Sequence, residues 1–158
     1  MRATFSLAIL FSIIALFVTQ CNATVGVSCN AGCSGSEECV KGLCACSAGY
    51  HYLSGSTCTA CGAGTYKSAI GDAAESCVSA PSGWYAVDSS NNALSSPYTG
   101  AVGISQAGTG NYVVDSSGSA TNSGGVRQAA CPVGRYAGTA GMSECVQCAA
   151  GTYQGSTG

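Results

Sequence analysis

Cysteine is the residue type in this chain whose number and spacing most strongly indicate chemistry. The 158 residues include 12 cysteines but one histidine, and only 8% of the residues are charged. Cysteines at short spacing can form disulfides, bind zinc or act as a redox pair, and the choice depends on the compartment and on the scaffold. The amino-terminal segment bears on the compartment.

Residues 1–23 have the layout of a secretory signal peptide. Arg2 provides a positive charge, an apolar run extends from Phe5 to Val18, and small residues end the segment at Ala23. The run is shorter than the roughly 20 residues that a membrane-spanning helix needs. We therefore expect the leader to be removed and the protein to be secreted or to lie on the extracellular face of the cell surface. An uncleaved signal anchor is the alternative.

The chain beyond the leader is too poor in large apolar residues to bury a sizeable core. Gly, Ser, Ala and Thr dominate it, and the 12 cysteines less Cys21 leave 11. A secreted chain of this kind takes its order from disulfides. Seven Asp and Glu outnumber the Lys and Arg that remain after Arg2, and no basic patch occurs. Nucleic acid is therefore not an expected partner.

Six cysteines form a first cluster, at positions 29, 33, 39, 44, 46 and 58. Six cysteines permit 15 pairings, so spacing leaves the pairing open. Two other uses remain as alternatives. Cys44, Cys46, Cys58 and Cys61 could be zinc ligands, although such sites are usually intracellular. Cys58 and Cys61 could form a redox pair, which would need a βαβ scaffold that the sequence lacks.

The cluster resembles the EGF-like family. One residue separates Cys44 from Cys46, and Gly49 and Tyr50 follow before the last cysteine. The resemblance implies a module over residues 24–60 with a small hairpin, and it implies the bonds Cys29–Cys39, Cys33–Cys44 and Cys46–Cys58. Calcium-binding members of the family have acidic residues before the first cysteine, where this chain reads TVGVS. No metal site is therefore expected.

A hexapeptide with Gly in the fourth and Tyr in the sixth place recurs along the rest of the chain. The five copies are CGAGTY (61–66), APSGWY (80–85), AGTGNY (107–112), CPVGRY (131–136) and CAAGTY (148–153). We call the first residue of each copy the opener, and the residue three places before the next opener the closer. Internal repeats of this kind indicate an array of small, similar units.

Cysteine is present at both ends of a unit or at neither end. The opener and closer of the four units are Cys61 and Cys77, Ala80 and Ile104, Ala107 and Gln128, and Cys131 and Cys145. An unpaired half of a disulfide would be a reactive thiol, so a bond between opener and closer explains why both members are absent together. The pattern predicts the bonds Cys61–Cys77 and Cys131–Cys145.

The cysteine-containing units resemble the ephrin-receptor-like cysteine-rich repeat, which is related in style to tumour necrosis factor receptor modules. The resemblance rests on C-x-x-G-x-Y, a mid-loop glycine (Gly71, Gly141) and a following C-x-x-C. It covers residues 61–79 and 131–158, the last repeat being truncated. Residues 80–130 share only the Gly-Tyr frame, and we expect cysteine-poor degenerate repeats or linker there. The turn-rich composition predicts weak β-structure at best between 86 and 130.

Cys148 is left over once the other cysteines are assigned. Six of the 11 belong to the first cluster and four to the two unit-closing bonds, so one remains, at an opener position. We expect it to have no partner within these 158 residues. The chain is then either the amino-terminal part of a longer repeat protein or one that uses Cys148 for an intermolecular disulfide.

The fold class expected is small and disulfide-rich, an elongated string of modules with short β-hairpins and little helix beyond the leader. Units of this size are expected to share little core with one another. No catalytic, cofactor-binding or metal-binding residues are expected, because His51 is the only histidine and the adjacent Glu37 and Glu38 resemble solvated surface.

The function that we expect is binding or adhesion to a protein or glycan by a non-catalytic extracellular module. Two alternatives are a structural component of a surface coat or filament and a growth-factor-like ligand. Contact with a membrane is expected only through regions beyond residue 158, if any.

Overall fold

The computed structural model describes residues 28–29, 32–33, 35–52, 57–71 and 76–158. The expected signal peptide, residues 1–23, lies outside these residues. Within them the regular secondary structure consists of twelve short strands, paired as six antiparallel hairpins, and no α-helix. The fold class expected from the sequence, small and disulfide-rich with short hairpins, is confirmed.

The hairpins follow one another along the chain, and each strand pairs with its neighbour in sequence. They are β1 (Glu37–Val40) with β2 (Leu43–Cys46), β3 (Tyr50–Tyr52) with β4 (Cys58–Ala60), β5 (Thr65–Tyr66) with β6 (Val78–Ser79), β7 (Trp84–Val87) with β8 (Gly103–Gln106), β9 (Asn111–Val114) with β10 (Arg127–Ala130), and β11 (Arg135–Tyr136) with β12 (Val146–Gln147).

The last five hairpins share one register. In each, the residue four places after the opener pairs with the residue just before the next opener. The pairs are Tyr50 with Ala60, Thr65 with Ser79, Trp84 with Gln106, Asn111 with Ala130, and Arg135 with Gln147. The repeat therefore begins at Cys46, one unit earlier than the hexapeptides indicate. We number the units 1 (46–60), 2 (61–79), 3 (80–106), 4 (107–130) and 5 (131–147).

Backbone hydrogen bonds of fixed type join each unit to the next. The opener N–H donates to the carbonyl of the preceding unit's fourth residue, which we call the turn glycine. These bonds are Cys61 to Gly49 (2.8 Å), Ala80 to Gly64 (2.9 Å), Ala107 to Gly83 (3.0 Å), Cys131 to Gly110 (2.9 Å) and Cys148 to Gly134 (3.0 Å).

A second series of bonds starts from one mid-loop glycine per unit, which we call the loop glycine. Its N–H donates to the carbonyl of the opener one unit earlier. These bonds are Gly71 to Cys46 (3.0 Å), Gly100 to Cys61 (2.9 Å), Gly124 to Ala80 (2.8 Å), Gly141 to Ala107 (2.8 Å) and Gly158 to Cys131 (3.1 Å). Every junction between the described units is therefore hydrogen-bonded in the same way, through backbone groups.

Contacts also reach across two units, and they require glycine. The turn glycine of one unit lies against the loop glycine two units later. A Cβ atom on Gly64 would overlap the backbone of Gly124, and one on Gly83 would overlap that of Gly141. Both turn glycines have positive φ, +71° and +80°, which disfavours any residue with a Cβ. Three successive units therefore meet at one point.

The prediction of weak β-structure between 86 and 130 is wrong. Half of β7 and the whole of β8, β9 and β10 lie in this stretch, and Tyr85, Val87, Ala107 and Val113 form a buried apolar cluster. The sequence signal for this order is a motif that occurs in both units, V-D-S-S-x-x-A at 87–93 and 114–120. In each copy the valine forms a β-bridge with the alanine, which closes a tight loop at the end of the hairpin.

Replacing Gly83 by Ala should destabilise the protein more than replacing Gly134 by Ala. Both residues have φ +80°, so both variants incur the left-handed backbone strain of about 1–2 kcal/mol. A Cβ at Gly134 meets nothing within 4 Å, whereas one at Gly83 overlaps Gly141, which should add about 1–3 kcal/mol. Denaturant unfolding of the two variants measures the difference. Equal losses would show that the two-unit contact is not tight.

Candidate functional site

Five disulfides hold the described part of the chain. They are Cys29–Cys39, Cys33–Cys44, Cys46–Cys58, Cys61–Cys77 and Cys131–Cys145, with Cα–Cα distances of 5.7, 5.6, 5.5, 5.6 and 5.8 Å. These distances lie in the usual range for disulfides. The same five pairs follow from the cysteine pattern and from the EGF-like resemblance. Many disulfides in a small chain are typical of an extracellular or secreted protein.

Three of the bonds join the opener of a unit to its closer. Cys46–Cys58 does so in unit 1, as Cys61–Cys77 and Cys131–Cys145 do in units 2 and 5. The hexapeptide search missed unit 1 because His51 stands where the other units have tyrosine. Its remaining signal, Cys46 followed three places later by Gly49, is present in the sequence. The four cysteines considered for a zinc site or a redox pair all lie in disulfides, and Cys58 and Cys61 are bonded to Cys46 and Cys77 and not to each other.

Units 3 and 4 keep the register without a disulfide. Their openers Ala80 and Ala107 are fully buried, as Cys61 and Cys131 are, so alanine fills the same narrow position. In unit 4 the closer Gln128 extends its side chain to the other end of the unit, where its Oε1 accepts a 2.8 Å hydrogen bond from the N–H of Gly108. A polar contact thus joins the same two ends that cysteine joins elsewhere.

Aspartate side chains organise the loops of these two units. Asp88 Oδ1 accepts hydrogen bonds from the N–H of Ser90 (2.8 Å) and of Asn92 (2.9 Å). Asp115 Oδ1 accepts from the N–H and Oγ of Ser117 (2.8 and 2.6 Å) and from the N–H of Ser119 (3.0 Å). Side chains that accept from nearby backbone amides stabilise tight turns.

These hydrogen bonds favour the ionised form of both carboxylates. The bond from Asn92 N–H contributes most to holding the pKa of Asp88 below its ordinary value, and the bond from the Ser117 side chain contributes most to lowering the pKa of Asp115. A carboxylate with a lowered folded-state pKa stabilises the fold above its unfolded-state pKa and loses this contribution as the pH falls.

Unit 5 presents three exposed apolar side chains that a partner could contact. Val133, Tyr136 and Val146 are 63%, 44% and 44% exposed, and Tyr136 is the cross-strand partner of Val146. We call these three residues the unit 5 face. In unit 2 the corresponding pair is Tyr66 and Val78, of which Val78 is 58% exposed.

A shallow cavity lies between units 4 and 5, and none of the three residues of the unit 5 face lines it. It has a volume of about 220 Å³ and its lining includes Tyr112, Pro132, Arg135, Glu144 and Cys145. Arg135 Nη1 donates a 3.1 Å hydrogen bond to the carbonyl of Cys145, which fixes the guanidinium at the wall. The cavity therefore combines an aromatic ring with one basic and one acidic side chain.

Cys148 is a free, half-buried thiol at the opener position that follows unit 5. Its N–H donates to Gly134 in the same way as the other openers donate to their turn glycines. The openers of all five numbered units are fully buried, so Cys148 differs from them in exposure.

Comparisons with protein-family models, curated proteins and solved structures found no match to this chain. Among the described residues, no helix is both long enough and apolar enough to cross a membrane.

Introducing cysteine at both ends of unit 3 should produce a further disulfide. Ala80 and Ile104 occupy the positions of Cys61 and Cys77 in the shared register, so Ala80→Cys/Ile104→Cys should oxidise and stabilise the fold by up to about 3 kcal/mol. Mass spectrometry without reduction and thermal unfolding measure both effects. Ala80→Cys/Ser105→Cys is the control, because adjacent strand residues point to opposite faces. Free thiols in the first variant would contradict the shared register.

Acid should weaken units 3 and 4 through Asp88 and Asp115. The stabilisation is present above the unfolded-state pKa of about 3.9 and is lost as the pH falls through the lowered folded-state values. Asp88→Asn/Asp115→Asn should therefore be less stable than wild type at pH 7 and should lose less stability on acidification to about pH 2. Glu144→Gln, which removes an exposed carboxylate in unit 5, is the control. Parallel pH–stability curves for wild type and the double variant would refute this role.

Proposed function

We propose that this chain is a non-catalytic extracellular module that binds a protein or glycan at a cell surface. In this proposal residues 1–23 are a cleaved signal peptide, residues 24–60 are an EGF-like module, and ephrin-receptor-like repeats follow it. The disulfide content supports an oxidising compartment.

The observation that carries the proposal is the repeated hydrogen bonding between units. Two bonds of constant type at every junction hold neighbouring hairpins in fixed relative positions. A rigid array can present several hairpin faces to one partner without the entropic cost of ordering them on binding. In repeat proteins, extended surfaces built in this way are the usual binding surfaces.

Within the array, the unit 5 face is the part best suited to a partner. Exposed aromatic and aliphatic side chains on one short hairpin are the kind of residues that become buried anchors in an interface. Arg135 and Glu144, which line the cavity between units 4 and 5, are a second set of groups that could form hydrogen bonds with a protein or glycan ligand.

The EGF-like assignment is supported by the order of the bonds in the first cluster. The first cysteine pairs with the third, the second with the fourth and the fifth with the sixth. This order is the one that the family resemblance implies.

A structural role in a surface coat or filament is the second candidate, and the same hydrogen bonding favours it. The bonds pass from unit to unit without a change of type, so the array has no intrinsic limit in length. The two candidate functions differ in what the array contacts. In the first it binds a different molecule, and in the second it assembles with further copies of the same chain.

A multivalent fusion of the mature chain should bind cells or a defined glycan or protein array through the unit 5 face. Val133→Asp/Val146→Asp places charge on that face and should reduce binding about tenfold or more, because each buried anchor contributes on the order of 1–2 kcal/mol. Val78→Asp, on the equivalent hairpin of unit 2, is the matched control and should bind as wild type does.

Two results would count against the binding role. Unchanged binding by Val133→Asp/Val146→Asp would move the interface elsewhere. Concentration-dependent assembly of the chain in sedimentation experiments, with no binding to any surface, would favour the structural role instead.

A further inference from the structure

His51 occupies a distinctive place in the repeat. It lies five residues after the opener of unit 1. From Cys61 onward, the residue five places after each opener is tyrosine. Its Nδ1 lies 3.0 Å from Sγ of Cys77, the closing cysteine of unit 2. The chain contains no other histidine.

Unit 5 provides an internal comparison for this contact. Tyr112 is the residue five places after the opener of unit 4, and it packs against a cluster that includes Cys131 and Cys145, the disulfide of unit 5. In both junctions, therefore, the same position of one unit lies against the closing disulfide of the next. The side chain there is a phenol in one case and a metal-binding imidazole in the other.

The three potential ligand atoms of the first junction are close together. His51 N, Cys61 Sγ and Cys77 Sγ all lie within 4.8 Å of one another. Zinc binds imidazole nitrogen at about 2.0–2.1 Å and thiolate sulfur at about 2.3 Å, so atoms at this spacing can share one tetrahedral ion. Cys61 is fully buried, whereas His51 and Cys77 are half-exposed, so these two residues form the part of the site that solvent reaches.

We propose that the junction of units 1 and 2 becomes a Zn²⁺ site when the Cys61–Cys77 disulfide is reduced. The ligands are His51 Nδ1, Cys61 Sγ and Cys77 Sγ, and water takes the fourth position. The ion links the two ends of unit 2, as the disulfide does, and it also ties unit 2 to unit 1 through His51. This proposal does not depend on the binding function proposed above.

The chemistry balances with a small-molecule thiol as the reductant. Two thiol molecules are oxidised to one small-molecule disulfide, and their two electrons and two protons pass to the protein. The Cys61–Cys77 bond breaks, and each cysteine becomes a thiol. Binding of Zn²⁺ then releases both thiol protons to solvent, because thiolate is the ligand form. His51 binds as the neutral imidazole through the lone pair of Nδ1, with its proton on Nε2.

A second sulfur cluster makes a histidine-specific measurement necessary. Sγ atoms of Cys29, Cys33 and Cys44 also lie within 4.8 Å of one another, and after reduction they too could bind metal. Because His51 is the only histidine, the nitrogen resonances of a ¹⁵N-histidine-labelled chain report on the proposed site alone. Metal that binds only to the other cluster leaves those resonances unchanged.

The experiment adds Zn²⁺ to the labelled mature chain before and after mild treatment with a small-molecule thiol. Alkylation and mass spectrometry show when Cys61 and Cys77 are free. We expect the Nδ1 resonance to move to a metal-bound position in the reduced protein and to stay unchanged in the oxidised protein. His51→Tyr, which restores the residue of the repeat, should lower the affinity of the reduced protein for Zn²⁺ about tenfold or more.

Moving the histidine to the other junction tests the geometry. In His51→Tyr/Tyr112→His the single imidazole lies beside Cys131 and Cys145, and a Zn²⁺-dependent shift of its resonance after reduction would support the proposal. If the His51 nitrogen resonances of the reduced wild-type chain do not change when Zn²⁺ is added, the proposal is wrong. A Cys61–Cys77 bond that stays oxidised until the whole chain unfolds would overturn it as well.

Discussion

The structure depends on the hydrogen bond that each opener donates to the turn glycine of the unit before it. This bond places a buried opener against a backbone carbonyl. In the same unit, the loop glycine donates a hydrogen bond to the opener of the preceding unit. Because the bonds use only backbone atoms, they do not require cysteine. They require a small opener, and they require glycine where three units meet because a Cβ would overlap backbone there. Ala80 and Ala107 are small and buried, so they can replace cysteine without loss of register.

Units 3 and 4 show what replaces a disulfide in this architecture. A disulfide limits the entropy of the unfolded chain, whereas these units rely on contacts in the folded state. Tyr85, Val87 and Val113 bury apolar surface, and Asp88 and Asp115 hold loops through backbone amides. The two kinds of stabilisation respond to different conditions. Loss of disulfides on reduction concerns units 1, 2 and 5, whereas the carboxylates that acid would protonate lie in units 3 and 4.

The sequence predicted the parts of the fold that depend on discrete spacing. Joint absence of cysteine at both ends of a unit indicated the opener–closer pairs, and the hexapeptides marked the start of each unit from Cys61 onward. The sequence did not predict the features whose signal is spread over many residues. The bonds between units involve backbone groups that have no sequence signature. The prediction for 86–130 interpreted Ser and Gly as turns and linker, although the paired V-D-S-S-x-x-A motifs were present. Unit 1 was missed because one histidine replaced one tyrosine.

Chemical variety in such an array is confined to positions that the backbone leaves free. The opener is small and buried in every unit, and a Cβ on turn glycines such as Gly64 and Gly83 would overlap backbone, so these positions tolerate little change of side chain. The residue five places after the opener is under no such constraint. At this position Tyr85 is buried in unit 3, Tyr136 is exposed in unit 5, and unit 1 has the imidazole of His51. Because this residue also contacts the closing disulfide of the next unit at two junctions, a change there alters a surface and the environment of a sulfur atom together. The same position of the repeat thus varies in its exposure and, at two junctions, lies beside a disulfide.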